Sequence, residues 1–169
     1  MTFLELAKAR YSVRKFSDKA VEQEKIDLIL EAARVAPTAK NNQSQHIYVL
    51  RSPEAIEKIN GLTPCVYGAS TVFMVGYDKD RDYKNRFRDY VHSGDTDAAI
   101  VTTHMMLEAW ELGVGSCWVQ NFDRVAVHDA FALPENIEIV NLLPVGYADM
   151  GPADRHTLSR EPSEMVTVL

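Results

Sequence analysis

The sequence predicts an α+β fold. Three observations carry this expectation: an apolar period of 3.6 residues over 22–35, β-branched apolar runs at 70–77 and 137–147, and a helix over about 96–112 that is apolar on most sides. Helices and strands are mixed along the chain, with no repeat, low-complexity tract or linker, so residues 1–169 are expected to form a single domain. Hydrophobic residues make up 46% and charged residues 25%, values that argue against disorder, collagen and coiled coil.

Thr2 to Ala9 reads as a short helix with Phe3, Leu6 and Ala7 on one face. The run Arg10-Tyr11-Ser12-Val13-Arg14-Lys15-Phe16 then breaks the helical period. Ile26, Ile29, Leu30 and Ala33 define an amphipathic helix over 22–35, which Pro37 helps to end. Thr38 to Gln45 is a polar loop, and His46 to Leu50 a strand. Pro53 opens a short helix that Gly61 closes. Ser70 to Tyr77 is a buried strand, and Asp78 to Ser93 a charged, aromatic surface excursion. Asp95 is the expected cap of the helix over about 96–112, whose all-round apolarity marks a central helix or a subunit interface. Gly113 stops it. Val114 to Gln120 reads as a strand, Arg124 to Leu133 as a helix and Ile137 to Tyr147 as a strand, with Ala148 to Leu169 an extended arm.

The charge is −6 overall and unevenly spread, which disfavours a nucleic-acid surface because phosphate neutralisation needs a basic field. The basic exception is Lys8, Arg10, Arg14 and Lys15, opposed only by Glu5. The longest apolar stretch, from Asp97 to Leu112, contains His104 and Glu108 and is too short to cross a bilayer, so no membrane is expected. The N-terminus shows no secretory pattern, and Cys65 and Cys117 in apolar surroundings read as reduced buried thiols; a cytoplasmic location is the expectation. The histidines at 46, 92, 104, 128 and 156 are dispersed without ligand spacing, so no metal site is expected.

Three segments could carry chemistry. In an extended segment Arg10, Ser12 and Arg14 share one side, where two guanidinium forks and a hydroxyl suit an oxyanion. A solvated basic stretch is the alternative reading. Thr38-Ala39-Lys40-Asn41-Asn42-Gln43 offers amide donors and acceptors matched to a heterocycle edge, although such residues also make ordinary turns. Gly113 and Gly115, before Ser116-Cys117-Trp118, allow close backbone approach at a helix-to-strand junction. The spacing is not that of a Rossmann fingerprint, a P-loop or a nucleophile elbow, and Cys117 has no neighbouring base in sequence.

Together these segments resemble the nitroreductase family of flavin-dependent oxidoreductases. Ala9 to Phe16 looks like the opening R-x-S-x-R/K-x-F motif, and Ala36-Pro37-Thr38-Ala39-Lys40-Asn41-Asn42-Gln43 like A-P-S-x-x-N-x-Q. The helix Asp97 to Leu112 followed by Gly113-Val114-Gly115-Ser116-Cys117-Trp118 resembles the L-G-L-G-S-C-W segment, continued by Asn121-Phe122-Asp123. Val145-Gly146-Tyr147 and Arg160-Glu161-Pro162-Ser163-Glu164-Met165-Val166 match the last-strand and terminal motifs, all in order over nearly the whole chain. The resemblance implies a mixed sheet flanked by helices, and a homodimer with C-terminal arm exchange whose pocket for FMN draws on both subunits. It places Arg10, Tyr11 and Ser12 at the phosphate and ribityl end, and Arg14 at the N1–C2=O edge of the ring. Thr38, Asn41 and Gln43 fall against the ring or ribityl chain, the backbone of Trp118, Val119 and Gln120 on the N5 side, and Arg160 on the phosphate. No residue is assigned as a catalytic acid or base.

The implied activity is hydride transfer from NADH or NADPH through flavin N5 to a nitroaromatic, quinone or similar small-molecule acceptor, in ping-pong order. The alternatives are a flavin-binding or storage protein with little turnover, and a specialised dehalogenating or flavin-cleaving relative, which would need binding residues such as Arg81, Tyr83, Arg86 and Arg88 in the excursion. Ser44-Gln45 stand where the family often has Pro-Trp, and Gln120-Asn121 where it has an acidic-glycine pair. The excursion is short beside that of longer members, which implies an open, tolerant site.

Overall fold

The computed structural model describes residues 1–88 and 90–169. Four strands form one antiparallel sheet: β1 (Gln45–Leu50), β2 (Thr71–Asp78), β3 (Gly115–Ser116) and β4 (Ile137–Gly146), in the spatial order β1-β2-β4-β3. Five helices accompany them: α1 (Phe3–Ala9), α2 (Gln23–Val35), α3 (Pro53–Asn60), α4 (Gly94–Glu111) and α5 (Arg124–Ala130).

The sheet is covered on both faces. Phe73, Val75 and Tyr77 of β2 pack with Val140, Leu143 and Val145 of β4 against Ile26, Ile29 and Ala33 of α2 and Val101, Met105 and Ala109 of α4. Val72 and Met74 point the other way and join Ile59 of α3, Val127 of α5 and Leu142 of β4. This is why β2 reads as a continuous apolar run although its ladder is antiparallel: alternate side chains enter two different cores.

Local chemistry sets the helix ends. Thr2 and Glu5 make a reciprocal capping box at the start of α1, with the Thr2 N–H donating to Glu5 Oε2 at 2.7 Å. Ser52 caps α3 and Asp123 caps α5 through their side-chain oxygens. Gly113, at φ +74°, takes the left-handed conformation that ends α4. Lys25 of α2 donates to the Leu112 carbonyl at 2.8 Å and to the Tyr147 hydroxyl at 3.0 Å, tying α2 to the end of α4 and the end of β4. The Tyr147 hydroxyl in turn donates to Glu22, which lowers that carboxyl to about 2.

Arg10 to Phe16 is an added edge. The Val13 N–H donates to the Ser116 carbonyl at 2.9 Å, Ser12 bridges Ser116 in parallel, and Phe16 bridges Ala148. Val13 and Phe16 are buried, while Arg14 and Lys15 are exposed. Gly115 permits this approach, since a Cβ there would lie 2.6 Å from Val13 Cγ2.

Three boundaries depart from the sequence expectation. The strand expected over 114–120 is reduced to β3 and a bridge between Val119 and Leu142. Pro144 of β4 accepts from the Cys117 N–H at 3.2 Å but has no N–H to return, so the ladder breaks there. The long helix starts at Gly94 with Ser93 as its cap residue, not Asp95, whose carboxylate instead meets Arg124 of α5 at 3.1 Å. Helix α5 ends at Ala130, three residues early, because Ala132 is left-handed at φ +49° and Pro134 disfavours helix in the residue before it. The arm from 148 is extended and mostly exposed, with single turns at Asp154–Thr157 and Pro162–Glu164.

Gly115→Ala is expected to destabilise the protein by about 1–3 kcal/mol through overpacking against fully buried Val13. Gly151→Ala, with nothing within 4 Å of its added methyl, should stay within about 0.5 kcal/mol. Urea unfolding midpoints of the two variants measure the difference.

Candidate functional site

The edge segment builds a cationic cradle. Arg10, Tyr11, Ser12 and Arg14 line a cavity of about 190 Å³ together with Ala153, Arg155 and His156 of the arm. Tyr11 is the hinge between the two pieces. Its hydroxyl donates to the Met150 carbonyl at 2.7 Å, and its ring meets Trp110 at 5.0 Å and His156 at 6.0 Å, both edge to face. The His156 ring Nε2 lies 3.0 Å from the Lys8 carbonyl, which docks the arm on α1. Among the described residues no carboxylate pairs with Arg10, Arg14 or Arg155. Ser116 Oγ, on the residue that bridges Ser12, is buried without a hydrogen-bond partner among them.

Behind the cradle lie both thiols. Cys65 is half-buried, and its sulfur accepts from Asn121 Nδ2 at 3.5 Å; a hydrogen bond with Tyr67 is the main cause that lowers its pKa, with Arg14 adding to it. Burial pushes the Cys117 thiol up, so it is held neutral, as its apolar sequence context suggests.

The amide loop occupies another corner. Thr38 to Asn42 forms a single 3-10 turn over Ala39–Asn41, with Lys40, Asn41 and Gln43 all left-handed at φ 53°, 55° and 51°. Thr38 Oγ1 accepts from the Gln43 N–H at 3.0 Å, and Gln43 Nε2 donates to Asn41 Oδ1 at 3.3 Å. Asp97 Oδ1, from α4, accepts from the Ala39 N–H at 3.0 Å. Pro37, Thr38 and Ala39 wall a largely apolar cavity of about 480 Å³ with Tyr83, Ser93 and Ile100.

These two corners lie at opposite ends of a sheet diagonal. Ser12 sits beyond β3 at the level of Val145 and Thr71, whereas Gln45, two residues after Gln43, starts β1 opposite Tyr77. Four strand spacings and six residues of strand separate them, roughly 25 Å. One chain therefore does not bring Arg10, Tyr11, Ser12 and Arg14 against Thr38, Asn41 and Gln43.

The segment Trp118-Val119-Gln120 follows β3. Trp118 Nε1 and Gln120 Nε2 both donate to Asn141 Oδ1, at 2.7 and 2.9 Å, and Asn141 Nδ2 donates to Thr102 Oγ1 of α4 at 3.0 Å. Val119 is buried and bridges Leu142. Asn141 is fully buried in β4 and escaped the sequence reading; a lone amide within Ile-Glu-Ile-Val-Asn-Leu-Leu was the signal. Arg155 and His156 also escaped it, since nothing in an aperiodic arm announces a contact. Arg160 is exposed and does not line the cradle. In the excursion, Arg86 stacks on Phe87 and Arg88 donates to the Tyr90 hydroxyl, while Arg81 offers its carbonyl to Asn42 at 3.1 Å. No helix among the described residues is long and apolar enough to cross a membrane.

Known proteins share both the sequence pattern and the fold. The profile of the nitroreductase family matches residues 7–65 and 60–147. A Methanothermobacter thermautotrophicus protein, assigned by name to the NADH dehydrogenase/NAD(P)H nitroreductases, is 32% identical over 162 residues, covering 92% of this chain and 82% of its own. A nitroreductase family protein from Clostridium difficile 630 superposes with a TM-score of 0.93 at 40% identity, over 99% of this chain and 98% of its own. A Desulfovibrio desulfuricans protein solved in complex with FMN aligns with a TM-score of 0.83 at 26% identity, over 98% of this chain and 95% of its own. With its opening arginine motif, amide loop and Gly-x-Gly-Ser-Cys-Trp segment all inside the matched residues, the chain belongs to the nitroreductase family.

Proposed function

We propose that this protein is an FMN-dependent, NAD(P)H-oxidising oxidoreductase that reduces nitroaromatics, quinones or similar acceptors. The observation that carries the reading is the cradle: Arg10, Arg14 and Arg155 line one cavity with Ser12, and none of them has a carboxylate partner among the described residues. Such a set suits a dianionic phosphate through charge-assisted, forked hydrogen bonds. The unpartnered Ser116 Oγ beside it supports the fit.

FMN bound there would supply the hydride-transfer chemistry between a nicotinamide and the acceptor. The chain's own residues bind and orient. Arg10, Tyr11 and Ser12 hold the phosphate and ribityl end, and Arg14 sets a positive charge at the N1–C2=O edge, where reduction places negative charge. The backbone N–H groups of Trp118 and Gln120, whose side chains are steadied by Asn141, are the donors left for the N5 side, because the Val119 N–H and carbonyl are both bonded to Leu142. Thr38, Asn41 and Gln43 meet the ring or ribityl chain from a second copy of the chain, since their own copy carries them roughly 25 Å from its cradle. The apolar groove of Phe3, Leu28, Val35 and Leu107, with exposed Phe3 and Val35, supplies a face for that partner. Arg160 belongs to the arm, and arm exchange would bring it to a phosphate.

Arg10→Ala is expected to weaken FMN binding by about 10- to 100-fold and leave riboflavin binding unchanged, because only FMN carries the phosphate. Flavin fluorescence titration reads both; equal losses for the two flavins would remove Arg10 from the phosphate. Arg14→Ala is expected to lower the bound flavin's midpoint potential, checked by anaerobic dye titration. On dilution, FMN should leave together with dimer dissociation, followed by sedimentation at flavin and protein wavelengths. A monomer that keeps FMN tightly would contradict the shared pocket.

A further inference from the structure

The loop proposed to meet the flavin is strained and held from below. Lys40, Asn41 and Gln43, none of them glycine, all adopt left-handed backbone, and such conformations persist only where surrounding structure determines them. Most ties on the loop are local or exposed: Gln43 Nε2 donates to Asn41 Oδ1 at 3.3 Å, and Lys40 Nζ lies 4.9 Å from the centre of the Tyr83 ring. Thr38 Oγ1 to the Gln43 N–H is internal, and the bond from Asn42 to the Arg81 carbonyl is exposed. One tie is different in kind: the Asp97 carboxyl, only 2% exposed, accepts from the Ala39 N–H at 3.0 Å.

Asp97 is itself held. Ser93 Oγ lies 2.7 Å from Asp97 Oδ2 and 3.0 Å from Asp82 Oδ1, and Asp82 Oδ2 meets His92 Nδ1 at 2.9 Å. Ser93 precedes α4 yet its hydroxyl does not cap that helix; its one proton, between two carboxyl groups, favours the shorter bond to Asp97, while the Ser93 N–H donates to Asp82 Oδ1 at 3.1 Å. A buried polar group is costly unless its hydrogen bonds are complete, so the Asp97 side chain and the Ala39 amide order one another.

We propose that Asp97, oriented by Ser93 and Asp82, is a positioning residue for flavin binding: it fixes the strained loop so that Thr38, Asn41 and Gln43 face the flavin of the partner copy. This rests on the functional reading above. The excursion thereby reaches the loop through Asp82 and Ser93.

The test uses Asp97→Ala, Asp97→Asn, Arg10→Ala and a core control, Ile59→Val in the opposite layer. In flavin-free protein, amide exchange at Ala39 should speed up about tenfold or more in Asp97→Ala. FMN and riboflavin affinities should fall together by about tenfold, in contrast to the FMN-only loss in Arg10→Ala. Asp97→Asn keeps an acceptor for the Ala39 N–H and should recover most of both losses. Ile59→Val should lower thermal stability without moving flavin affinity. An Ala39 amide still protected in Asp97→Ala, wild-type riboflavin affinity in that variant, or an equal affinity loss in Ile59→Val would overturn the assignment. A wild-type protein that binds neither flavin would instead sink the functional reading, and the assignment with it.

Discussion

Val13 fills the space that any side chain at position 115 would need, with its Cγ2 2.6 Å from where a Cβ would lie. That contact, with the hydrogen bond from the Val13 N–H to the Ser116 carbonyl, turns the basic segment after α1 into a fifth line of the sheet. Arg10, Ser12 and Arg14 then share one side of an extended strip, and the alternation buries Val13 on the other. Without a glycine at 115 the strip would be pushed off its edge, and the guanidinium groups would lose their common direction. The cradle is thus a consequence of backbone packing before it is a matter of charge.

Elsewhere the chain positions its polar segments with single buried groups. Asn141 gathers Trp118 and Gln120 and is anchored to Thr102. Asp97 gathers the amide loop and is anchored through Ser93. Each replaces a regular ladder where none is available: beyond Pro144 for the first, and in a left-handed loop for the second. A buried acceptor with several donors is a stiff support, because every lost bond leaves a desolvated group behind. The apolar cores could not do this, since hydrophobic burial has no direction.

Much of the architecture was legible in local pattern. The period at Ile26, Ile29, Leu30 and Ala33 placed α2, and the β-branched runs placed β2 and β4 to within a residue or two. Gly113 ended α4 as expected, through its positive φ. Helix α5 ended early for a local reason, Pro134 and left-handed Ala132, but the other two misplaced boundaries share a cause. Asp95 looked like a cap but spends its charge on Arg124, a partner 29 residues away, and β3 is cut short by a proline that lies in a different strand. Local propensity cannot register a competitor that arrives through the fold.

Residue type and spacing alone singled out three candidate segments, an Arg-x-Ser-x-Arg strip, an amide-rich loop and a glycine junction, because they dictate hydrogen-bonding capacity. Where they stand was set by the fold. It put the strip and the loop at opposite corners of one sheet, added Arg155 and His156 from an aperiodic arm, and supported the loop on a buried carboxylate. Strand order and long-range packing set those distances, and neither is written in the spacing of neighbouring residues.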